Sequence, residues 1–377
     1  MKKILFTATV QSHICQFHLP YIKMLKDMGY EVHVAARDNL AEKEGLTLEG
    51  PDKVFNVPFS RSPLKKENLK AYKTIKEIID KNDYDVINCN TPMGGVISRL
   101  AARTRKKSKT KVIYIAHGFH FFKGAPVTNW LLYFPIEFFL SYITDALLTI
   151  NKEDFQRAKK YFHAKETYYI PGIGVRTEKF RVAVPSTNKR EEIGVPNDSI
   201  ILLSVGELYP RKNHEVMIKA MARLKENNIY YVICGNGILD KYLYDLAQQN
   251  GVEDKIIFAG YRRDIPEIMK VSDIYVFPSM REGLGLAGIE AMASGLPMVT
   301  SNINGILDYM EEGKSGFLCP PDNDRAFAEA ITKMIVNSKL RDQMGHYNIK
   351  AAQKFDVENV KDEMRKIYKE IETNKLK

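Results

Sequence analysis

The chain has 377 residues, long for one core and comfortable for two domains of ordinary size. Its 45% hydrophobic and 27% charged residues are those of a folded protein rather than a disordered one, and no apolar run reaches the ~20 residues a membrane-spanning helix needs. The formal net charge of +10 suggests an anionic partner, but no nucleic-acid-binding motif or basic-aromatic interleaving is present, so no nucleic acid is expected.

The first ten residues are basic and then apolar, and Gln11, Ser12 and His13 end the run early. They read as a first buried strand at residues 4–9 rather than a signal peptide. Further strands are predicted at 32–36, 85–90, 112–116 and 146–150, with helices between them, for example at 69–79 and 153–162. His117 follows the fourth of these strands in Ala-His-Gly-Phe-His-Phe-Phe, and a His at a strand's carboxyl end faces the ligand crevice of a parallel sheet. Residues 1–180 hold 29 Lys and Arg against 18 Asp and Glu, a balance of +11, whereas residues 181–377 hold 27 against 28. The excess is densest at residues 103–111, which include Arg105, Lys106, Lys107 and Lys109, and around Lys65, Lys66, Lys70 and Lys73. Beside it runs an aromatic stretch from Trp130 to Leu140, interrupted by Pro135 and Glu137 and unable to span a bilayer. Together these suggest a face that docks on anionic lipid, each nearby basic group contributing ~1 kcal/mol.

A Gly- and Pro-containing linker is expected at residues 170–190. Beyond it, strands are predicted at 200–205, 231–234, 256–259, 274–277 and 298–301. Continuous apolar strands alternating with helices argue parallel sheets covered on both faces, which bind ligands at the carboxyl ends of their strands. The 200–205 strand runs into Gly206-Glu207-Leu-Tyr-Pro-Arg211-Lys212-Asn213, a cationic strand-to-helix loop suited to a diphosphate. The loop after residue 259 offers Tyr261 and Arg262 as planar groups for a base. The segment after 274–277 is the most telling: Glu282-Gly283-Leu284-Gly285-Leu286-Ala-Gly-Ile-Glu290-Ala-Met-Ala-Ser-Gly295-Leu-Pro297. Its glycines let backbone N–H groups approach a ligand, a short helix opens near Leu286, and Gly295 and Pro297 stop it. One carboxylate lies on the turn and one on the helix, so both can address one bound molecule. Carboxylates accept from sugar hydroxyls while N–H groups hold phosphate, which describes a nucleotide-sugar site. The four cysteines, Cys15, Cys89, Cys234 and Cys319, are scattered without metal or redox spacing and read as reduced cytoplasmic thiols.

With Glu282, seven residues and Glu290 in that setting, the chain resembles the retaining glycosyltransferases of family 4. The resemblance covers essentially the whole chain and is most specific from residue 200 to 320. It implies the GT-B fold: an α/β protein of two Rossmann-like parallel-sheet domains facing a central cleft. The expected division is an acceptor-side domain at 1–180, a donor domain at 181–355, and a helix at 356–377 packing back on the first. It further implies that Glu282 orients the sugar, Glu290 meets ribose or sugar hydroxyls, and His117 touches the transferred sugar. His120 and His18 follow as weaker acceptor-side candidates; the loop at 11–18 replaces the Gly-Gly pair of many relatives. Lys212 matches the family's Lys beyond Gly206, but Glu207 stands where many relatives carry Arg; either Arg211 supplies that charge or Glu207 marks a subfamily. No His, Asp or Cys cluster offers metal spacing, so a metal-independent reaction without cofactor is expected. Leaving-group charge would fall to Lys212, Arg211 and the N–H groups near Gly283 to Gly285. UDP is the commonest nucleotide in the family, with GDP and ADP open. A sugar-nucleotide 2-epimerase of the same architecture is the alternative enzyme. The stretch from Phe119 to Glu137 resembles capsule and exopolysaccharide members, implying a polyprenyl-diphosphate-linked acceptor and a peripheral position on the inner face of the cell membrane.

Overall fold

A computed structural model describes residues 1–43, 45–103, 109–225 and 228–373. The chain forms two compact units, Met1–Gly174 with Val357–Lys377, and Val175–Asp356.

In the first unit seven parallel strands stand in the order β3-β2-β1-β4-β5-β6-β7. They are β1 (Lys2–Val10), β2 (Tyr30–Arg37), β3 (Lys53–Asn56), β4 (Val86–Asn90), β5 (Lys111–Ala116), β6 (Ala146–Thr149) and β7 (Glu166–Tyr169). Side chains alternate across the pleat. Leu5, Ile87, Val112, Tyr114 and Leu147 therefore meet the buried residues of helices Glu67–Asn82, Pro92–Ala102 and Lys152–Tyr161 on one face. On the other face Asn88 donates to the Tyr368 hydroxyl of the C-terminal helix Val357–Glu372. That helix buries Val360, Met364, Ile367, Tyr368 and Ile371, spaced three and four apart as a single stripe requires. Polar contacts fix its end: Tyr30 Oη donates to Glu372 Oε1 at 2.6 Å, and Lys2 Nζ lies 2.9 Å from Glu372 Oε2.

The chain passes between units at Gly174–Val175, ahead of residue 180, and again at Asp356–Val357. Gly174 has φ +78°, and a Cβ there would lie 2.6 Å from Val357 Cα, so no other residue fits the crossing. Just beyond it, Val175 N–H donates to Phe355 O at 2.8 Å and Thr177 Oγ1 to Asp356 Oδ2 at 2.5 Å.

The second unit has six parallel strands in the order β10-β9-β8-β11-β12-β13. They are β8 (Ile200–Val205), β9 (Ile229–Cys234), β10 (Ile256–Gly260), β11 (Ile274–Phe277), β12 (Met298–Ser301) and β13 (Gly316–Cys319). Leu202, Met217, Tyr231, Ile233, Val276, Phe327 and Ile331 are among its buried core residues. The strand order reverses between β1 and β4 in one sheet and between β8 and β11 in the other. At such switch points the loops leaving the carboxyl ends diverge and open a ligand crevice.

The α/β parallel architecture is that read from the sequence, but three strands lay outside that reading: β3, β7 and β13. Each is a sheet edge. Their sequences, Lys-Val-Phe-Asn, Glu-Thr-Tyr-Tyr and Gly-Phe-Leu-Cys, are only partly covered and lack the long apolar run of a central strand.

Candidate active site

The second unit's switch point gathers the acidic and basic candidates. β8 leads into the loop carrying Arg211 and Lys212, and β11 into the loop carrying Glu282. The two loops are tied together: Met280 N–H donates to Arg211 O at 2.8 Å, and Asn213 Nδ2 to Pro278 O at 3.0 Å. Lys212 Nζ donates to Glu282 Oε1 at 2.6 Å, and Ser279 Oγ donates to the same oxygen at 2.8 Å. Nζ also stands 5.1 Å from the centroid of Phe277, and the Lys212 stem lies against Gly206, where a Cβ would come within 3.2 Å of Cε. Arg211 is half-exposed. Its guanidinium pairs with Glu207 at 2.8 Å and comes within 4.0 Å of Glu282. The acidic residue at 207 thus holds the neighbouring cation, although the sequence left open whether Arg211 balances it.

Gly285 caps the helix Leu286–Ser294 in the left-handed conformation, φ +86°, and a Cβ there would lie 2.7 Å from the Phe277 ring. The cap provides no side-chain acceptor and the first turn carries no acidic residue. Among the described residues nothing accepts from the N–H groups of Leu286 and Ala287, which stand at the positive end of the helix dipole. Gly283 and Leu284 form the turn leading into this cap, with Leu284 buried. Glu290, one turn on, is partly buried; burial raises its carboxyl to about 7, opposed by Lys179. Its carboxylate makes no hydrogen bond among the described residues.

The loop after β10 places Tyr261 at the surface, 70% exposed. Arg262 is forked onto Asp264 at 2.8 and 2.5 Å, and Lys189 also donates to Asp264 at 3.0 Å. Asp264 therefore orients a guanidinium instead of capping the next helix with its side chain.

The first unit brings together residues that lie far apart in sequence. β1 runs directly into the helix Gln11–Phe17, which presents His13 and ends at His18, while His117 follows β5. Ring centroids of His13 and His117 are 4.7 Å apart, of His13 and His18 5.3 Å, and of His18 and His117 5.5 Å. His13 and His18 face each other through Nε2 atoms 3.4 Å apart, and His117 Nε2 lies 3.5 Å from Asn90 Oδ1. Burial and the neighbouring rings hold His13 and His18 well below the usual imidazole range, and burial takes His117 down to about 4. Each ring nitrogen set places one atom within 4.8 Å of the others, a grouping able to hold a metal ion. This corrects the expectation that no such cluster exists: spacing along the chain conceals a contact made across β1, β4 and β5. His13 was not among the sequence candidates. Two Asp-x-Asp triplets occur, at 83–85 and 322–324; Asp85 accepts from Lys3 N–H at 2.8 Å and Asp324 pairs with Arg223.

The other first-unit candidates fall elsewhere. The His120 ring packs on Tyr133 at 4.6 Å and joins no cluster with His117. Arg105, Lys106 and Lys107 lie outside the described residues; Lys109 is exposed just before β5, at the amino edge of the sheet, opposite His117. Trp130 turns inward, its ring 5.6 Å from Phe121 with the Arg157 guanidinium 5.1 Å over it, so it is not an outward membrane contact. The outward face of its helix, Val127–Ser141, is instead formed by Val127, Leu131, Leu132, Ile136 and Phe139, with Leu131 74% and Phe139 69% exposed. On the inner side, Glu137 accepts from Arg99 at 2.8 Å, and Arg99 lies 3.8 Å over the Tyr114 ring. No helix among the described residues is long and apolar enough to cross a membrane.

Two parallel-sheet Rossmann-like units, each with its chemistry at a switch point, define a GT-B glycosyltransferase. Residues 185–351 match the family described as Glycosyl transferases group 1, and residues 3–151 the family described as Glycosyl transferase 4-like. The chain belongs to this glycosyltransferase family. It is 41% identical to EpsD of Bacillus subtilis (strain 168), named as a glycosyltransferase, over 97% of this chain and 96% of that one. It is 28% identical to the Escherichia coli UDP-Gal:alpha-D-GlcNAc-diphosphoundecaprenol alpha-1,3-galactosyltransferase, over 82% of this chain and 81% of that one. Among solved structures, Anabaena Alr3699/HepE in complex with UDP and glucose superposes with a TM-score of 0.78 at 22% identity, covering 98% of this chain and 100% of that one.

Proposed function

We propose that the protein transfers a hexose-type sugar, with retention, from a UDP-sugar to a hydroxyl of a polyprenyl-diphosphate-linked glycan in surface-polysaccharide synthesis. The observation that carries this reading is the shielded Lys212–Glu282 pair beside an uncapped helix N-terminus. With donor bound, Lys212 and Arg211 would neutralise the departing diphosphate together with the N–H groups of Leu286 and Ala287. Glu282 would then exchange its lysine contact for a sugar hydroxyl. Glu290 would accept from ribose or sugar hydroxyls, with Tyr261 or Arg262 against the base. The acceptor hydroxyl attacks from the leaving-group face and passes its proton to the departing phosphate oxygen, so neither glutamate serves as a covalent nucleophile. These residues supply the charge without a metal.

The acceptor rests on two supports. The E. coli relative's name contains both a UDP-sugar donor and a diphosphoundecaprenol acceptor. The helix Val127–Ser141 is apolar on both faces, buried on one and open on the other, and a patch of that kind marks an interaction surface. We assign that face to the cytoplasmic leaflet of the cell membrane, the +11 balance of residues 1–180 favouring anionic lipid.

The test is product analysis with UDP-, GDP- and ADP-sugars and a polyprenyl-diphosphate-linked acceptor, in excess EDTA. Transfer from a UDP-sugar with retained anomeric configuration is expected. Conversion of the donor without acceptor would replace this reading with the 2-epimerase.

A further inference from the structure

The three histidines at the first unit's switch point have more ring nitrogens than the protein satisfies. Among the described residues, their ring nitrogens make only the 3.4 Å polar contact between His13 and His18 and the 3.5 Å contact of His117 with Asn90. Both are long for hydrogen bonds. The Nε2 atoms of His13 and His18 thus face each other without a good hydrogen bond, and such a site points to a group that completes it.

The ring arrangement suits a metal ion. A tetrahedral zinc ion with Zn–N bonds of about 2.05 Å sets neighbouring ligand nitrogens about 3.3 Å apart and ring centroids about 5.2 Å apart. The Nε2 atoms of His13 and His18 are 3.4 Å apart, the candidate nitrogens of all three rings lie within 4.8 Å of one another, and the centroid distances are 4.7, 5.3 and 5.5 Å, so the rings would draw in slightly on an ion. The His117 ring stands nearly perpendicular to both others, at 82° and 89°, so the three rings do not stack but surround a point.

The surroundings also favour one tautomer. Asn90 Nδ2 donates to Asn88 Oδ1 at 2.8 Å, and Asn88 in turn donates to the Tyr368 hydroxyl. This leaves Asn90 Oδ1, an acceptor only, on the Nε2 side of His117, which favours the proton on Nε2 and the lone pair on Nδ1. A ligating His held through its other nitrogen by an amide or carboxylate is the usual outer arrangement of a metal site.

We propose that His13, His18 and His117 form a binding site for a divalent transition-metal ion of the zinc class, with a fourth position open to water or a ligand. Three imidazoles without a carboxylate disfavour magnesium and calcium, which take oxygen ligands. Among the described residues Arg61 is the cation that acts on His13, and it is exposed, so water screens its opposition to a bound ion. The proposal is independent of the donor site in the second unit.

The test uses tag-free, chelator-stripped protein titrated with zinc by calorimetry and with cobalt(II) by absorption. One ion per chain is expected, with the intense visible bands of tetrahedral cobalt and a melting temperature raised by zinc. His13→Gln and His18→Gln should each weaken binding by more than about 100-fold, whereas His13→Cys, which restores a ligand, should keep it. Circular dichroism checks the fold; if His18→Gln misfolds, the less buried His13→Gln decides. Absence of a tetrahedral cobalt spectrum in the unaltered protein overturns the proposal. So does binding that persists unchanged in the His→Gln variants, since the ion would then sit on other histidines such as His163 or His346.

Discussion

Replacing Lys212 by Met keeps most of the apolar stem and removes the terminal ammonium, with its charge and its hydrogen-bond donors. In the folded protein Nζ lies 2.6 Å from Glu282 Oε1, the two side chains being 12% and 8% exposed. The substitution strands a shielded carboxylate, and breaking a buried pair in this way costs about 3–5 kcal/mol when nothing else compensates. Here Ser279 still donates to the same oxygen from 2.8 Å and Arg211 stands 4.0 Å away. The expected loss of stability is therefore nearer ~2 kcal/mol. Catalysis should fall further, because removing one donor placed against developing charge costs about 100- to 1,000-fold in turnover. The double variant Lys212→Met with Glu282→Gln separates the two effects. Neutralising the stranded carboxylate should return stability to within about 1 kcal/mol of the unaltered protein, while transfer stays at least ~100-fold down. Melting curves and initial transfer rates read the two quantities. Recovery of transfer together with stability would refute the argument, since the pair would then be scaffolding only.

Three further outcomes are expected. Glu290, held up to about 7 by burial, must be ionised to accept from donor hydroxyls, so UDP affinity should rise from pH 6 to 8 and level off, and Glu290→Gln should flatten the profile. The sign for stability is the reverse: the folded apo protein keeps this proton above 4.5, where the unfolded chain loses it, so that contribution declines as pH rises toward 7. Arg99→Met leaves Glu137 buried without its cation, only the Tyr114 hydroxyl still donating to it from 3.3 Å, and should cost about 3 kcal/mol, lowering the first unit's melting transition by roughly 6–12 °C, whereas Arg99→Met with Glu137→Leu should recover most of it. Leu131→Glu with Phe139→Glu should reduce co-sedimentation with anionic vesicles by ~10-fold or more while changing stability by less than about 0.5 kcal/mol, because both side chains are exposed.

What the sequence made legible follows how local the physics is. Central strands such as 274–277 and 200–205 are buried on both faces and show as apolar runs, whereas β3, β7 and β13 are edges with no comparable pattern. Glu282, Lys212 and the Gly285 cap were readable because each lies within a few residues of a strand end, where chain direction alone sets the chemistry. The His13–His18–His117 cluster was not, since it depends on β4 lying between β1 and β5 and on Asn90 at its end. Trp130 misled for a related reason. A helix apolar all round does not announce its buried side; the Arg99–Glu137 pair and the Phe121 contact set that rotation, and it points Leu131 outward.

The most direct test of the donor site is calorimetric titration of UDP into the unaltered protein and into Lys212→Met, both in excess EDTA. The account predicts metal-free binding by the unaltered protein, weakened ~100-fold or more in the variant because the diphosphate loses its principal cation. Equal affinity in the two proteins, or binding by the unaltered protein only when a divalent metal is supplied, would contradict it.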